Sequence, residues 1–144
     1  MAKLETSITI NRPIEEVFAF AADIANYAEW ETGVIAAEVT SPGPVGVGTQ
    51  YKIDAEFMGR KLETTGELTA YDPPRITAWK ATSGPFAMSG STTFESVAGG
   101  TRVVSAIEAE PGGFFKLAEP LLVRQMRGQM EKDVKKLKEL LEAR

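Results

Sequence analysis

The sequence predicts an α+β fold: a curved antiparallel sheet of about seven strands, in the order β-α-α-β6-α, around a long C-terminal helix. Three observations carry this. Short runs alternating apolar and polar residues recur between turns rich in Gly, Pro and Asp. Two short helical segments interrupt the series only once, after the first run. Beyond Pro111-Gly112-Gly113 the apolar spacing changes from two to three or four residues and stays so to the end.

The first strand has Leu4, Thr6, Ile8 and Ile10 on one face and Glu5, Ser7 and Thr9 on the other. Asn11-Arg12-Pro13 stops it, with Asn11 expected to cap a helix whose first position suits Pro13. Ile14, Val17, Phe18, Phe20 and Ala21 form the apolar side of that helix. Glu15 and Glu16 favour its N-terminal dipole. Asp23 is expected to cap a second short helix through Tyr27 and Trp30. Six strands follow at hairpin spacing. They run over Val34–Thr40, around Tyr51–Phe57, around Leu62–Leu68, over Ile76–Ala81, around Met88–Phe94 and around Val103–Ile107. The last helix, from about Phe114 to Glu142, carries Leu117, Leu121, Met126, Met130, Val134, Leu137 and Leu141. Some 28 residues at about 1.5 Å each make it about 42 Å long, so it must run the length of the molecule. Pro120 is expected to kink or restart it.

The 144 residues, 43% apolar and 25% charged, make a single domain over 1–144. With no Cys there is no disulfide or thiolate site. With no His, the commonest base near neutral pH and every serine–histidine triad are excluded. No cofactor or metal is expected, and composition tilts the reading toward binding rather than catalysis. A net charge of −4 argues against a nucleic-acid partner. Residues 124–144 carry seven basic and four acidic side chains, leaving nine basic against sixteen acidic elsewhere. This suits the last turns of a helix, with membrane docking as the rival explanation. The start, Met1-Ala2-Lys3-Leu4-Glu5, has no apolar signal segment, and no apolar run approaches 18 residues, so cytoplasmic residence is the expectation.

A strongly curved sheet round one helix leaves space that the helix does not fill. Ala55, Gly66, Ala70, Gly90 and Ser105 on the inward face are consistent with a cavity, or else with close packing. The order of elements and several local strings resemble the START-like (SRPBCC, helix-grip) superfamily, in particular bacterial polyketide cyclase/dehydrase-like proteins. The strings are Asn11-Arg12-Pro13-Ile14-Glu15-Glu16-Val17-Phe18, Tyr27-Ala28-Glu29-Trp30, Val45-Gly46-Val47-Gly48-Thr49, Asp72-Pro73-Pro74-Arg75 and Gly99-Gly100-Thr101-Arg102-Val103. The resemblance spans essentially the whole chain. It implies the helix-grip fold, and a function among lipid carriers, hormone receptors and cyclases.

Trp30, Tyr51, Phe57, Trp79, Phe86, Met88 and Phe94 are the expected apolar lining with an amphipathic rim, each open to the plainer reading of ordinary core. Ile53 shares their face, and Leu121, Met126 and Met130 are the expected helix contribution. Tyr51 and Arg75 are the expected polar handles. Asp54, Glu56, Glu63 and Glu67 alternate with apolar partners and are expected on the outer face. The loops at 83–86 and 111–114 are candidate lips. Three functions compete. The first is binding of a small hydrophobic or lipid-like molecule between sheet and helix, in a monomer or homodimer. The second is a cyclase/dehydratase-like enzyme, which needs an inward acid, tyrosine or arginine. The third is a protein- or membrane-interaction module using the basic helix. A cavity below about 300 Å3 would remove both small-molecule readings, and an inward carboxylate or Tyr–Arg pair favours catalysis.

Overall fold

The computed structural model describes residues 2–57, 59–83, 87–110 and 119–144. The strands are β1 (Ala2–Ile10), β2 (Val34–Val39), β3 (Gln50–Phe57), β4 (Arg60–Asp72), β5 (Ile76–Ala81), β6 (Ala87–Val97) and β7 (Gly100–Glu110). Between β1 and β2 lie α1 (Ile14–Ala21), a 3-10 turn (Ile24–Asn26) and α2 (Tyr27–Trp30), and α3 (Glu119–Glu142) follows β7. The strands form one antiparallel sheet in the order β1-β7-β6-β5-β4-β3-β2. The expected architecture is the observed one. The β2-to-β7 meander follows from hairpin-length turns, and only β1 crosses over, pairing Leu4 with Ile107 and Ile8 with Val103.

The parity read from alternation holds on the outer surface. Lys52 reaches Glu38 at 3.8 Å and Glu63 at 3.9 Å across β2, β3 and β4. Asp54 pairs in register with Glu63. A bulge between Leu68 and Ala70 shifts the alternation of β4 by one residue, so Tyr71, opposite the buried Thr77, takes the inward parity expected of Ala70.

Two local expectations change. Asn11 does not cap α1: Pro13 occupies the N-cap position with no side-chain hydrogen bond. The backbone N–H of Asn11 instead donates to Glu142 Oε2 at 2.9 Å, and Arg12 Nη2 donates to the Glu142 carbonyl at 2.6 Å. Lys138 Nζ adds a bond to the Thr9 carbonyl at 2.7 Å. The end of β1 is thus turned toward the C-terminus of α3, a tertiary partner that no local signal announces. Asp23 does cap as expected, accepting from the Ala25 N–H at 3.0 Å.

The second change is the seam of α3. Leu122, Met126, Met130, Val134, Leu137 and Leu141 are buried, whereas Leu121 is 59% exposed. Leu121 stands five residues before Met126, about 140° round the helix, while Leu122 stands four before and stays on the buried face. Pro120 sits in the first turn of α3 as described, where a missing N–H costs no hydrogen bond. The expected start near Phe114 lies outside the described residues.

Two cores result. The larger joins Ile10, Val17, Phe18, Tyr27, Trp30, Tyr51, Leu68, Phe94, Val103, Leu137 and Leu141. The smaller joins Leu4, Ala109, Met126 and Met130, with Met88, Ile107 and Val123 against it.

Candidate functional site

Short connections put the polar side chains of the site in place. Counting from Tyr27, positions three and four along share one helical face, so Trp30 and Glu31 lie side by side. The Glu31 N–H closes this turn on the Tyr27 carbonyl at 2.8 Å. The chain is then pinned on both sides. The Thr32 N–H donates to Asp133 Oδ1 of α3 at 2.5 Å, and the Glu56 N–H of β3 donates to the Gly33 carbonyl at 2.7 Å. Gly33 has φ +84°, and a Cβ there would fall 2.7 Å from the Glu56 carbonyl oxygen. Only glycine fits this bend.

Inside it is a cavity of about 200 Å3. Tyr27, Trp30 and Glu31 wall one side, Tyr51 and Ile53 of β3 and Trp79 of β5 another. Met88 and the threonines Thr64, Thr77 and Thr92 complete the lining with Ala21, Thr65, Ala81 and Ser83. The aromatic walls depend on glycines directly across the strand pairs. Tyr51 faces Gly66 and Trp79 faces Gly90. A Cβ on Gly66 would lie 2.4 Å from the Tyr51 ring, and one on Gly90 would lie 2.7 Å from the Trp79 ring. These small inward residues are seats for aromatic rings rather than empty space, the close-packing alternative the sequence left open.

The expected lining divides accordingly. Trp30, Tyr51, Ile53, Trp79 and Met88 are together on the cavity wall. Phe94 is buried elsewhere, its ring edge-on to Phe18 with centroids 5.1 Å apart. Met126 and Met130 are in the smaller core, and Leu121 faces outward. Arg75 is exposed at the β4–β5 corner, with Nη2 2.5 Å from Asp72 Oδ2. It is a rim ion pair and not a handle in this cavity. Phe86 and the side chain of Phe57 lie outside the described residues, as do most of the two candidate lips. Among the described residues, then, the lining comes from the sheet and the short helices. The last helix contributes from behind, through Asp133.

Sequence reasoning missed Tyr27, Glu31 and the threonines. The three-and-four spacing from Tyr27 was the available signal for Glu31. Its side chain is only partly covered by area because it lines both the cavity and a small outer hollow with Glu29, Thr32, Lys132 and Lys136. The surrounding protein nonetheless removes most of its hydration. Desolvation first, then the nearby Asp133 carboxylate, pushes the Glu31 carboxyl up to about 8. Desolvation also raises Asp133, opposed by its hydrogen bond from Thr32. The Tyr51 hydroxyl is pushed well up by burial and by Glu31. Trp30 is 8% exposed, and its Nε1–H is buried without an acceptor among the described residues. A wider, more open hollow of about 610 Å3 lies beyond α1, between Phe18, Tyr71, Pro73, Pro74 and Val45. No buried unsatisfied polar atom marks it among the described residues.

A curved seven-stranded sheet, a long packed helix and an aromatic-walled hollow define a helix-grip domain. The chain belongs to the family described as polyketide cyclase / dehydrase and lipid transport, whose model matches residues 1–142. Its fold is similar to that of TTHA0849 from Thermus thermophilus, with TM-score 0.85 and 25% identity over 99% of this chain and 98% of that one. It is also similar to the Zhui aromatase/cyclase from Streptomyces, with TM-score 0.83 and 16% identity over 98% and 93%. A START superfamily protein from Mycobacterium smegmatis gives TM-score 0.81 and 12% identity over 98% and 97%. No curated protein matches the chain. Among the described residues no helix is long and apolar enough to cross a membrane, and no group of acidic side chains is arranged to hold a metal.

Proposed function

We propose that the protein binds a compact, mainly apolar small molecule in the cavity between Trp30, Tyr51 and Trp79. The observation supporting this is a partly open hollow with aromatic walls and a few polar groups, the composition of small-molecule sites. Size narrows the expectation. At about 200 Å3 the hollow falls below the ~300 Å3 bound expected from the sequence; that bound applies to drug-sized guests and is too high for a compact one, since a dry cavity of ~150 Å3 holds benzene. The guest is therefore of one or two rings, and an extended acyl chain exceeds the space. Burying about 200 Å2 of apolar surface contributes roughly 5 kcal/mol before association costs. Native mass spectrometry of protein freshly purified from its host tests this. The expected result is a co-purified small mass that Trp79→Ala releases, and the same spectrum for both proteins, without added mass, counts against it.

A second reading, a cyclase/dehydratase-like enzyme, is favoured by one observation, the inward Glu31. A carboxyl that holds its proton to about pH 8 can serve as an acid or base near neutrality without histidine. That reading requires Glu31→Gln to abolish turnover of the bound molecule while leaving its binding intact.

A further inference from the structure

We propose that Trp30, Tyr51 and Glu31 form a hydrogen-bond donor set that selects a neutral guest presenting an acceptor oxygen, such as a ketone, and rejects its carboxylate analogue. This rests on the cavity being the binding site and adds what the guest must carry. The argument is an inventory of unmet bonds. The Trp30 indole N–H can only donate, is buried, and has no acceptor among the described residues. Burying such a donor unpaired costs about 1–3 kcal/mol, which a guest oxygen recovers if a small shift of the indole brings the N–H to the wall of the hollow. Neither the Tyr51 hydroxyl nor the Glu31 carboxyl carries a hydrogen bond among the described residues, and both line the same hollow. Gly66 fixes the Tyr51 ring in place, and the Thr32 N–H bond to Asp133 with the Glu56 N–H bond to the Gly33 carbonyl fix the backbone that follows Glu31.

Charge decides the class of oxygen. No lysine or arginine is among the described lining residues. The groups facing Glu31 are Tyr27 from α2, Tyr51 from β3 and Asp133 from α3, with Glu29, Lys132 and Lys136 round the outer hollow. No ion pair links either lysine to Glu31 or Asp133 among the described residues. Two acids side by side without a cation are stabilised with a proton retained, and Glu31 in its acid form donates. An anionic guest gains no cation here and sets a second negative charge beside Asp133, so it is disfavoured. Once Glu31 ionises it becomes acceptor-only, and a ketone oxygen then faces a like partial charge.

Three probes of one shape separate the possibilities: indane, 1-indanone and indane-1-carboxylate, titrated into the full chain by calorimetry. At pH 6 the ketone is expected to bind roughly tenfold more tightly than the hydrocarbon and at least tenfold more tightly than the carboxylate. The ketone's advantage over indane is expected to shrink as pH rises through about 8 in the wild type. Glu31→Gln, which keeps a donor, should retain the advantage at every pH, and Glu31→Leu should reduce it at pH 6. Equal binding of ketone and hydrocarbon, or carboxylate binding as tight as ketone, overturns the donor set while leaving the cavity reading standing. A ketone advantage that does not change with pH overturns the part given to Glu31. Failure of all three probes to bind overturns the cavity reading and this selection with it.

Discussion

At the scale of single residues the site is held by exclusions as much as by contacts. Gly66 and Gly90 are where they are because a methyl group would occupy the space of the Tyr51 and Trp79 rings. Gly66→Ala and Gly90→Ala should each lower stability by about 1–3 kcal/mol, the usual cost of overpacking, as read by chemical denaturation. A gain in stability would mean the rings are free to move away. Glu31 supplies a prediction with a definite sign. Unfolded, it releases its proton near 4.5; folded, near 8. Between those values the native chain binds more protons than the unfolded one, so this group's contribution to stability falls as pH rises and levels off above about 8. Glu31→Gln removes that slope. Variant and wild type should melt alike near pH 4.5. At pH 8 the variant should be the more stable, by on the order of a few kcal/mol, since each tenfold change in proton affinity is worth about 1.4 kcal/mol. Asp133, shifted the same way, leaves a slope of the same sign in both proteins. Parallel pH profiles would show Glu31 ionised in the fold.

At the scale of elements, α3 is held by burial along one seam and by polar ties at its C-terminus. Leu137 and Leu141 are fully buried, and Glu142 and Lys138 reach the end of β1. Leu137→Ala should cost roughly 2–5 kcal/mol and Leu121→Ala close to nothing, measured as shifts in denaturation midpoint. Comparable losses would place both leucines against protein. This pair also shows what the sequence made legible. The meander, the helix pair and the long helix followed from periodicity and turns, because a buried face repeats over many residues. The choice between Leu121 and Leu122 depended on phase across one irregular step, where 117-121-126 breaks the four-residue spacing. Asn11 failed as a cap for another reason. Its hydrogen bond goes to Glu142, 131 residues away, and capping signals are local.

At the scale of the whole molecule, the two cores have different work. The smaller one, round Met126 and Met130, packs α3 onto β1 and β7, while the larger one surrounds the hollow with α1, α2 and the sheet. Alternation identified Tyr51 and Ile53 as inward, and the aromatic side chains of Trp30 and Trp79 pointed to the same wall. It did not separate cavity from core, since Phe94 has the same parity and is packed solid against Phe18. Glu31 was illegible to alternation because it lies in a four-residue helix and its exit, where neither period has room to repeat. Filling the hollow should separate its two roles. Ala81→Leu, on the lining, is expected to leave the fold intact and to weaken guest binding at least tenfold by calorimetry, and unchanged affinity would place the guest elsewhere.

The chain has only two tryptophans, and both line the hollow. Their indole N–H resonances in a 15N–1H correlation spectrum, followed during titration with 1-indanone, are therefore the most direct reporters of occupancy. Saturable shifts of both, with a downfield move of Trp30 as its buried N–H gains an acceptor, are the predicted result. Indole signals that stay fixed while backbone shifts gather at Val45, Tyr71 and the open hollow beyond α1 would contradict it.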